Sequence, residues 1–270
     1  MSDPLGIRLD SCAALVTGSA RGIGAGIAVR LAALGARLFV ADVLEAPART
    51  VVEAIRERGG RADFLALDVA DESSWQEAAD AVRAAEGALD ILVNNAGIYL
   101  AKPTAETALG DFQRIVSVNL AGVFLGTKHC LDLLIEGGGR RSGGASIVNL
   151  SSAAGLIGSR VAPVYSMTKG GVRLLTKSHA LEFARRGIRV NSVHPGLIDT
   201  EMGAEALRGR SPEGDREQLE RAREAASRGH PIGRLGTASD IAGAVAFLAS
   251  DAAAFVTGIE LPVDGGVTAQ

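Results

Sequence analysis

Aromatic residues are scarce, at 4% with a single tryptophan, and the 270 residues hold only two cysteines. Cys12 and Cys130 cannot make a disulfide framework and lack metal-ligand spacing, so they read as small buried residues of a reducing compartment. The four histidines, His129, His179, His194 and His230, share no metal spacing either. Each reads as a structural or surface residue, and no metal is expected. An excess of one charge is also lacking, with a formal net charge of −3 and a pI near 5.9. Without a basic cluster to override that balance, nucleic acid is not an expected partner. The segment Met1-Ser2-Asp3-Pro4 lacks a basic region leading into an apolar stretch, and no run reaches the roughly 18 apolar residues that span a bilayer. A soluble, cytoplasmic protein without a membrane partner is the expectation.

Apolar residues, by contrast, make up 47% of the chain. That suffices for the core of one domain over residues 1–270. Short apolar runs recur at Ala14-Leu15-Val16, Arg37 to Ala41, Phe64 to Leu67, Ile91-Leu92-Val93, Ser146 to Leu150 and Ile188 to Val193, as parallel strands buried on both faces require. Between them, Ile23 to Leu34, Ala48 to Arg58 and Ser74 to Ala85 carry apolar residues at helical spacing. A last helix near Ser239 to Leu248 precedes a final strand near Ile259 to Val263. The pattern predicts an α/β fold, a Rossmann-type doubly wound parallel sheet of about seven strands.

Two segments break the rhythm. Gly137 to Gly144 reads as a flexible polar connector with nothing to pack, and Arg140-Arg141 within it as a solvated pair. From Glu201 to His230 the chain is rich in charge, with Ser211-Pro212-Glu213 resembling a helix start and Leu219, Ala222 and Ala226 the only apolar stripe. It lies where α/β proteins place ligands, beyond the carboxyl end of a strand, and a substrate lid over 197–235 is expected. Asp199 either orients that lid or makes a turn.

The run Thr17-Gly18-Ser19-Ala20-Arg21-Gly22-Ile23-Gly24 joins a strand to a helix. Gly18, Gly22 and Gly24 permit a tight turn, close approach to a pyrophosphate and close helix packing, with the helix N-terminus aimed at the anion. Asp42, ending the next strand, sits where a ribose diol would lie. Asp68, in Leu67-Asp68-Val69, is placed either to accept from an adenine amino group or to cap the following helix. In Asn94-Asn95-Ala96-Gly97 the amides can bridge neighbouring strands while Ala96 and Gly97 let a cofactor lie against backbone. These features call for NAD or, less readily, NADP. Asp42 favours the first and Arg21 could attract the 2′-phosphate of the second.

Tyr165 and Lys169, at i and i+4, share one helix face, so the ammonium can reach a cofactor ribose and lower the phenol pKa. Bringing a phenol from about 10 to about 7 takes roughly 4 kcal/mol, a demand met by Lys169 plus an oxidised nicotinamide. Ser152, at the end of the fifth strand, is placed to hold a substrate oxygen. Singly, such a tyrosine packs a core and such a lysine is solvated; their joint spacing argues for proton transfer at a carbonyl or carbinol.

With these motifs in place, the chain resembles the short-chain dehydrogenase/reductase family. TGSARGIG at Thr17 to Gly24, NNAG at Asn94 to Gly97, Asn119 in Val118-Asn119-Leu120, Ser152, YSMTK at Tyr165 to Lys169 and HPG at His194 to Gly196 carry the likeness over nearly the whole chain. The resemblance implies Tyr165 as acid/base, Ser152 orienting the carbonyl, Lys169 on the ribose and Asn119 as a helix-kink residue holding a relay water. It also implies nicotinamide contacts from Pro195, Gly196, Ile198 and Thr200, and a homotetramer joined by two long helices and by the last helix and strand. Ala242, Ala244, Val245, Leu248, Ile259 and Leu261 are the expected apolar surface of that second contact. Within the family the likeness is nearest to bacterial NAD-linked hydroxysteroid and cyclic-alcohol dehydrogenases. The pocket residues, Ile98 to Leu100, Ala153 to Val164, Leu197 and Met202, are apolar but for Arg160, which suits an apolar secondary alcohol or ketone. The runner-up is an NADPH-dependent 3-oxoacyl thioester reductase. A Ser–Lys hydrolase lacks its nucleophile elbow here, and a nucleotide-sensing scaffold need not keep the trio.

Overall fold

A computed structural model describes residues 7–208 and 216–270. Seven parallel strands lie in the order β3-β2-β1-β4-β5-β6-β7, where β1 is Ala13–Thr17, β2 Arg37–Asp42, β3 Arg61–Ala66, β4 Ile91–Asn94, β5 Ala145–Leu150, β6 Ile188–Pro195 and β7 Glu260–Val263. Strand order reverses between β1 and β4, the place where open parallel sheets bind ligands. β1, β4, β5 and β6 are wholly buried, which is why they read as unbroken apolar runs rather than alternating ones.

Each face of the sheet has its own helical cover. One core joins Ile27 and Leu31 of α1 (Gly22–Ala33) and Val52 and Ile55 of α2 (Glu45–Glu57) with Ile241 and Val245 of the C-terminal helix Ala238–Ala249. The other gathers Trp75 and Val82 of α3 (Glu72–Glu86) with Leu133, Leu134 and Phe183 from two further helices. Trp75 is fully buried and its indole N–H still donates to the Val69 carbonyl at 3.1 Å.

α4 (Leu109–Val116) runs through a π-helical turn, Ser117–Ala121, into α5 (Gly122–Gly138). Together they make a 30-residue helix long and apolar enough to cross a membrane, which the sequence pattern does not announce. Its apolarity is explained by packing, since Leu133, Leu134 and Cys130 are buried under the sheet. α6 (Pro163–Phe183) opens on a proline in its first turn, where the missing N–H costs nothing. α7 (Glu201–Arg208) and α8 (Arg216–Gly229) follow β6, and α9 (Ala238–Ala249) starts on a capping box between Thr237 and Asp240.

Three sequence expectations change here. Gly137 and Gly138 are not loop but the last turn of α5, because a Cβ on Gly137 would lie 2.1 Å from the Leu89 carbonyl oxygen. Arg141 is not solvated: it is bonded to Asp251 at 2.7 Å and to the Ala249 carbonyl. Ala242, Val245 and Leu248 are core residues and offer no outer surface, while Ile259 and Leu261 pack against that same core. The expected helix start at Ser211-Pro212-Glu213 lies outside the described residues.

Candidate active site

A cleft of about 2070 Å³ opens over the carboxyl ends of the strands, lined at one end by the glycine turn and at the other by Tyr165 and its neighbours. The glycine turn is built by backbone contact. Gly18 has φ +63°, and a Cβ there would stand 2.7 Å from the Ala96 Cα. A Cβ on Gly24 would sit 2.2 Å from the Gly18 carbonyl oxygen. Only glycine fits either position. Arg21 is the N-cap of α1 yet makes no side-chain cap, and the first turn holds no acidic residue. The first amides of α1 therefore face the cleft unsatisfied, as an anion-binding helix end requires. A nucleotide pyrophosphate fits this end by shape and by charge.

Asn95 holds the turn. Its amide donates to the carbonyls of Thr17 at 2.8 Å and Gly18 at 3.0 Å, while the Thr17 hydroxyl accepts both the Asn95 and Ala96 N–H groups. Asn94 bridges instead to Asn149 on β5 at 2.9 Å. At the end of β2 the buried Asp42 carboxylate accepts the Ala20 N–H at 2.9 Å and the Leu44 N–H at 3.0 Å, so its position is fixed. Asp68, Val69 and Ile23 also line this end. β3 stops at Ala66, and Asp68 lies in the loop beyond, accepting the Ala70 N–H at 2.9 Å. Asp71, not Asp68, caps α3, which removes the capping alternative and leaves Asp68 facing the cleft. Arg21 is ion-paired with Glu201 in the first turn of α7.

At the opposite end, β5 delivers Ser152 and α6 delivers Tyr165 and Lys169, one turn apart. The Lys169 ammonium donates to the Leu150 carbonyl at 2.8 Å and stands 5.8 Å from the Tyr165 ring centre. Burial drives that ammonium down to about 8. Burial also pushes the Tyr165 phenol up to about 12, with the Ser152 hydrogen bond working in the opposite sense. Burial thus leaves the phenol raised, and the expected lowering rests on Lys169 and an oxidised nicotinamide together. Desolvation of a 9%-exposed phenol outweighs an ammonium aimed at the Leu150 carbonyl. Ser152 is itself positioned from below: His194, wholly buried in β6, bonds the Ser152 carbonyl through Nδ1 at 3.1 Å and Ser192 Oγ through Nε2 at 2.8 Å.

Asn119 lies in the π turn, with no exposed surface. Its Oδ1 accepts the Ile98 N–H at 2.8 Å and its amide donates to the Ile98 carbonyl at 2.9 Å, locking the chain just past Gly97. A Cβ on Gly97 would approach Asn119 Oδ1 at 3.3 Å and Lys169 Nζ at 3.4 Å, so these groups share one small space. Pro195, Gly196, Ile198 and Thr200 continue the cleft wall after β6, and a Cβ on Gly22 would meet the Thr200 methyl at 3.5 Å. All the residues singled out from the sequence for catalysis and cofactor binding line this cleft, apart from Asn119, which stands behind it.

Tyr99, expected in the pocket, meets Tyr165 edge-on, with ring centres 5.0 Å apart. Sequence reasoning missed five further contributors, namely Arg114, Ile115, Glu201, Arg223 and His230. Arg114 and Ile115 of α4 come to the substrate end through tertiary packing. Glu201 is paired across the cleft, and Arg223 of α8 grips both Asp199 carboxylate oxygens. His230 donates from Nδ1 to the Ala226 carbonyl at 2.7 Å and accepts the Leu197 N–H at 3.3 Å. No local pattern announces contacts across such sequence distances.

A family model described as Enoyl-(Acyl carrier protein) reductase matches residues 18–268. The cyclopentanol dehydrogenase of Comamonas testosteroni is 41% identical over 263 residues, 97% of this chain and 99% of that protein. The chain belongs to the short-chain dehydrogenase/reductase family. It is 41% identical over 257 residues to the 3beta-hydroxysteroid dehydrogenase 1 of Eggerthella lenta, covering 94% of this chain and 92% of that one. Among solved structures, a gluconate 5-dehydrogenase of Burkholderia cenocepacia in complex with NADP and tartrate superposes with a TM-score of 0.86 at 36% identity, covering 98% of each chain. This short-chain dehydrogenase/reductase is an oxidoreductase acting on CH–OH groups with a nicotinamide cofactor.

Proposed function

We propose that this chain interconverts an apolar ring or steroid-like secondary alcohol and its ketone, with NAD preferred over NADP. The observation that carries the reading is the convergence of Ser152, Tyr165 and Lys169 beside an apolar cluster of Ile98, Tyr99, Leu100, Ile115, Val161 and Ala162 in one cleft. The cyclopentanol and hydroxysteroid relatives support it.

When bound, the nicotinamide supplies the hydride acceptor or donor. The chain supplies the rest. The Ser152 hydroxyl holds the substrate oxygen, and the Tyr165 phenol gives or takes the proton there. Lys169 holds the ribose and sets the field at the phenol, with Asn119 fixing Ile98 and Gly97 beneath them. Asp42 takes the adenosine ribose hydroxyls, Asp68 and Val69 the adenine, and the amides of α1 the pyrophosphate. Residues 197–235 form a lid, and the Asp199–Arg223 pair with the His230 bonds supports that reading.

Exposed Leu174 and Leu181 on α6, with Phe124 on α5, support a homotetramer assembled through these long helices. Sedimentation at micromolar concentration checks it, and a monomer would refute it. For the activity, purified enzyme is screened with NADH and NADPH against cyclic ketones, steroids and acetoacetyl thioesters. Cyclic or steroid ketones consuming NADH fastest is the expected result; NADPH with acetoacetyl thioesters would favour a 3-oxoacyl thioester reductase instead.

A further inference from the structure

Charged side chains line both ends of the cleft. At the adenosine end stand Asp42 and Asp68. At the substrate end stand the guanidinium groups of Arg114, on α4, and Arg160, in the loop before α6. Among the described residues neither guanidinium makes a hydrogen bond or a salt bridge. Arg21, the arginine at the glycine turn, is by contrast already matched by Glu201.

Of the acids nearby, Asp111, one turn before Arg114 and within its field, is bonded to Lys102 at 2.6 Å. Glu205 and Arg208 on α7 also line the cleft, with opposite charges. Between the arginines and the reacting groups lies apolar surface, since Ile115 follows Arg114 and packs with Ala162 against Tyr165, while Val161 follows Arg160. A ligand reaching the Tyr165 phenol thus meets hydrocarbon first and an unmatched cationic rim beyond it.

Both arginines are exposed, and a guanidinium selects carboxylates because its planar fork can bond both oxygens. We infer that Arg160, with Arg114, holds a carboxylate borne by the substrate on the side of its apolar body remote from the carbinol. The substrate class is then a hydroxy- or oxo-substituted ring carboxylate. This inference rests on the proposed alcohol–ketone activity, which supplies the reacting end of the molecule.

The test uses the full chain and matched probes, 4-hydroxycyclohexanecarboxylate and its carboxamide, with NAD. Wild type is expected to favour the acid by about fivefold in kcat/KM, the equivalent of one exposed charged contact. Arg160→Met and Arg114→Met should each lower that acid-to-amide ratio, mainly through KM, with Arg160→Lys intermediate. Raising ionic strength should compress the ratio in wild type alone. A wild-type ratio at or below one, or a ratio unmoved by both methionine variants, overturns the inference. So does a preference for an acyl thioester on an acidic carrier protein that disappears in the same variants.

Calorimetric binding of cyclohexanecarboxylate and cyclohexanecarboxamide to the enzyme–NADH complex separates this inference from the activity. Tighter binding of the carboxylate, lost in Arg160→Met, sustains the anion site even where no alcohol is turned over. Equal binding of the two overturns it even where alcohols are oxidised.

Discussion

Arg21 and Glu201, 180 residues apart, are ion-paired across the mouth of the cleft, joining the glycine turn to the first turn of α7. The pair answers the competition between Asp42 and Arg21 over a 2′-phosphate. Asp42 is buried and doubly held by backbone amides, whereas Arg21 has its charge matched by a carboxylate. Like charges about 4 Å apart cost roughly 4 kcal/mol at an effective dielectric near 20, while an exposed ion pair contributes at most about 1 kcal/mol. Asp42 is therefore expected to decide. Wild type should favour NADH over NADPH in kcat/KM, Asp42→Ala should narrow the ratio by about a hundredfold, and Glu201→Gln should narrow it only about fivefold. An NADPH preference in wild type would show that Arg21 wins despite Glu201.

Tyr165→Phe should lower turnover by at least about a thousandfold, because only the transferable proton is removed. NADH binding, followed by fluorescence titration, should survive. Residual activity within about tenfold of wild type, a barrier change of only about 1.4 kcal/mol, would sink the assignment.

The direction of the pH profiles follows from the same phenol. With Tyr165 raised to about 12, ketone reduction finds its proton donor in place at neutral pH. Alcohol oxidation needs the phenolate, so its kcat/KM should climb from about pH 7 to 9 while that of reduction does not. Above about 8 the Lys169 ammonium loses its charge, and the KM for coenzyme should rise. Oxidation that stays flat or falls over that range while reduction climbs would contradict Tyr165 as the proton carrier.

Lys169→Met should remove activity and coenzyme affinity yet stabilise the apo fold at pH 7. A lysine held at about 8 in the fold against 10.5 unfolded binds fewer protons when folded between those values. Wild-type stability from this group is therefore lowest below pH 8 and recovers toward pH 10.5. The gain from the variant is about 3 kcal/mol at most, less about 1 kcal/mol for the lost bond to the Leu150 carbonyl. Tyr165 acts oppositely but later, since its contribution is lost only from about pH 10 upward. Urea denaturation at pH 7 and 9.5 checks this, and a less stable variant at pH 7 would refute it.

Much of the fold was legible because strands buried on both faces read as continuous apolar runs, as β5 and β6 do. The site was legible where geometry is local, as in Tyr165 and Lys169 on one turn or in the glycines between β1 and α1. Gly137 and Gly138 misled because a glycine tract signals a loop by composition, while here the Leu89 backbone demands glycine within a helix. The burial of Tyr165 was not legible, because spacing reveals a neighbouring charge but not the desolvation that raises the phenol. Arg114, Glu201 and Arg223 were invisible because tertiary packing alone brings them to the cleft.

The two ends of that cleft are made of different material. The coenzyme end is main chain pressed on main chain, Gly24 against Gly18 and Gly18 against Ala96. The substrate end is a wall of side chains, from Tyr99 and Ile115 to Arg160. Point substitution can rewrite a side chain but has little purchase on a carbonyl oxygen. A lineage carrying this architecture can therefore exchange one substrate for another by drift at the rim while its nucleotide cradle stays frozen.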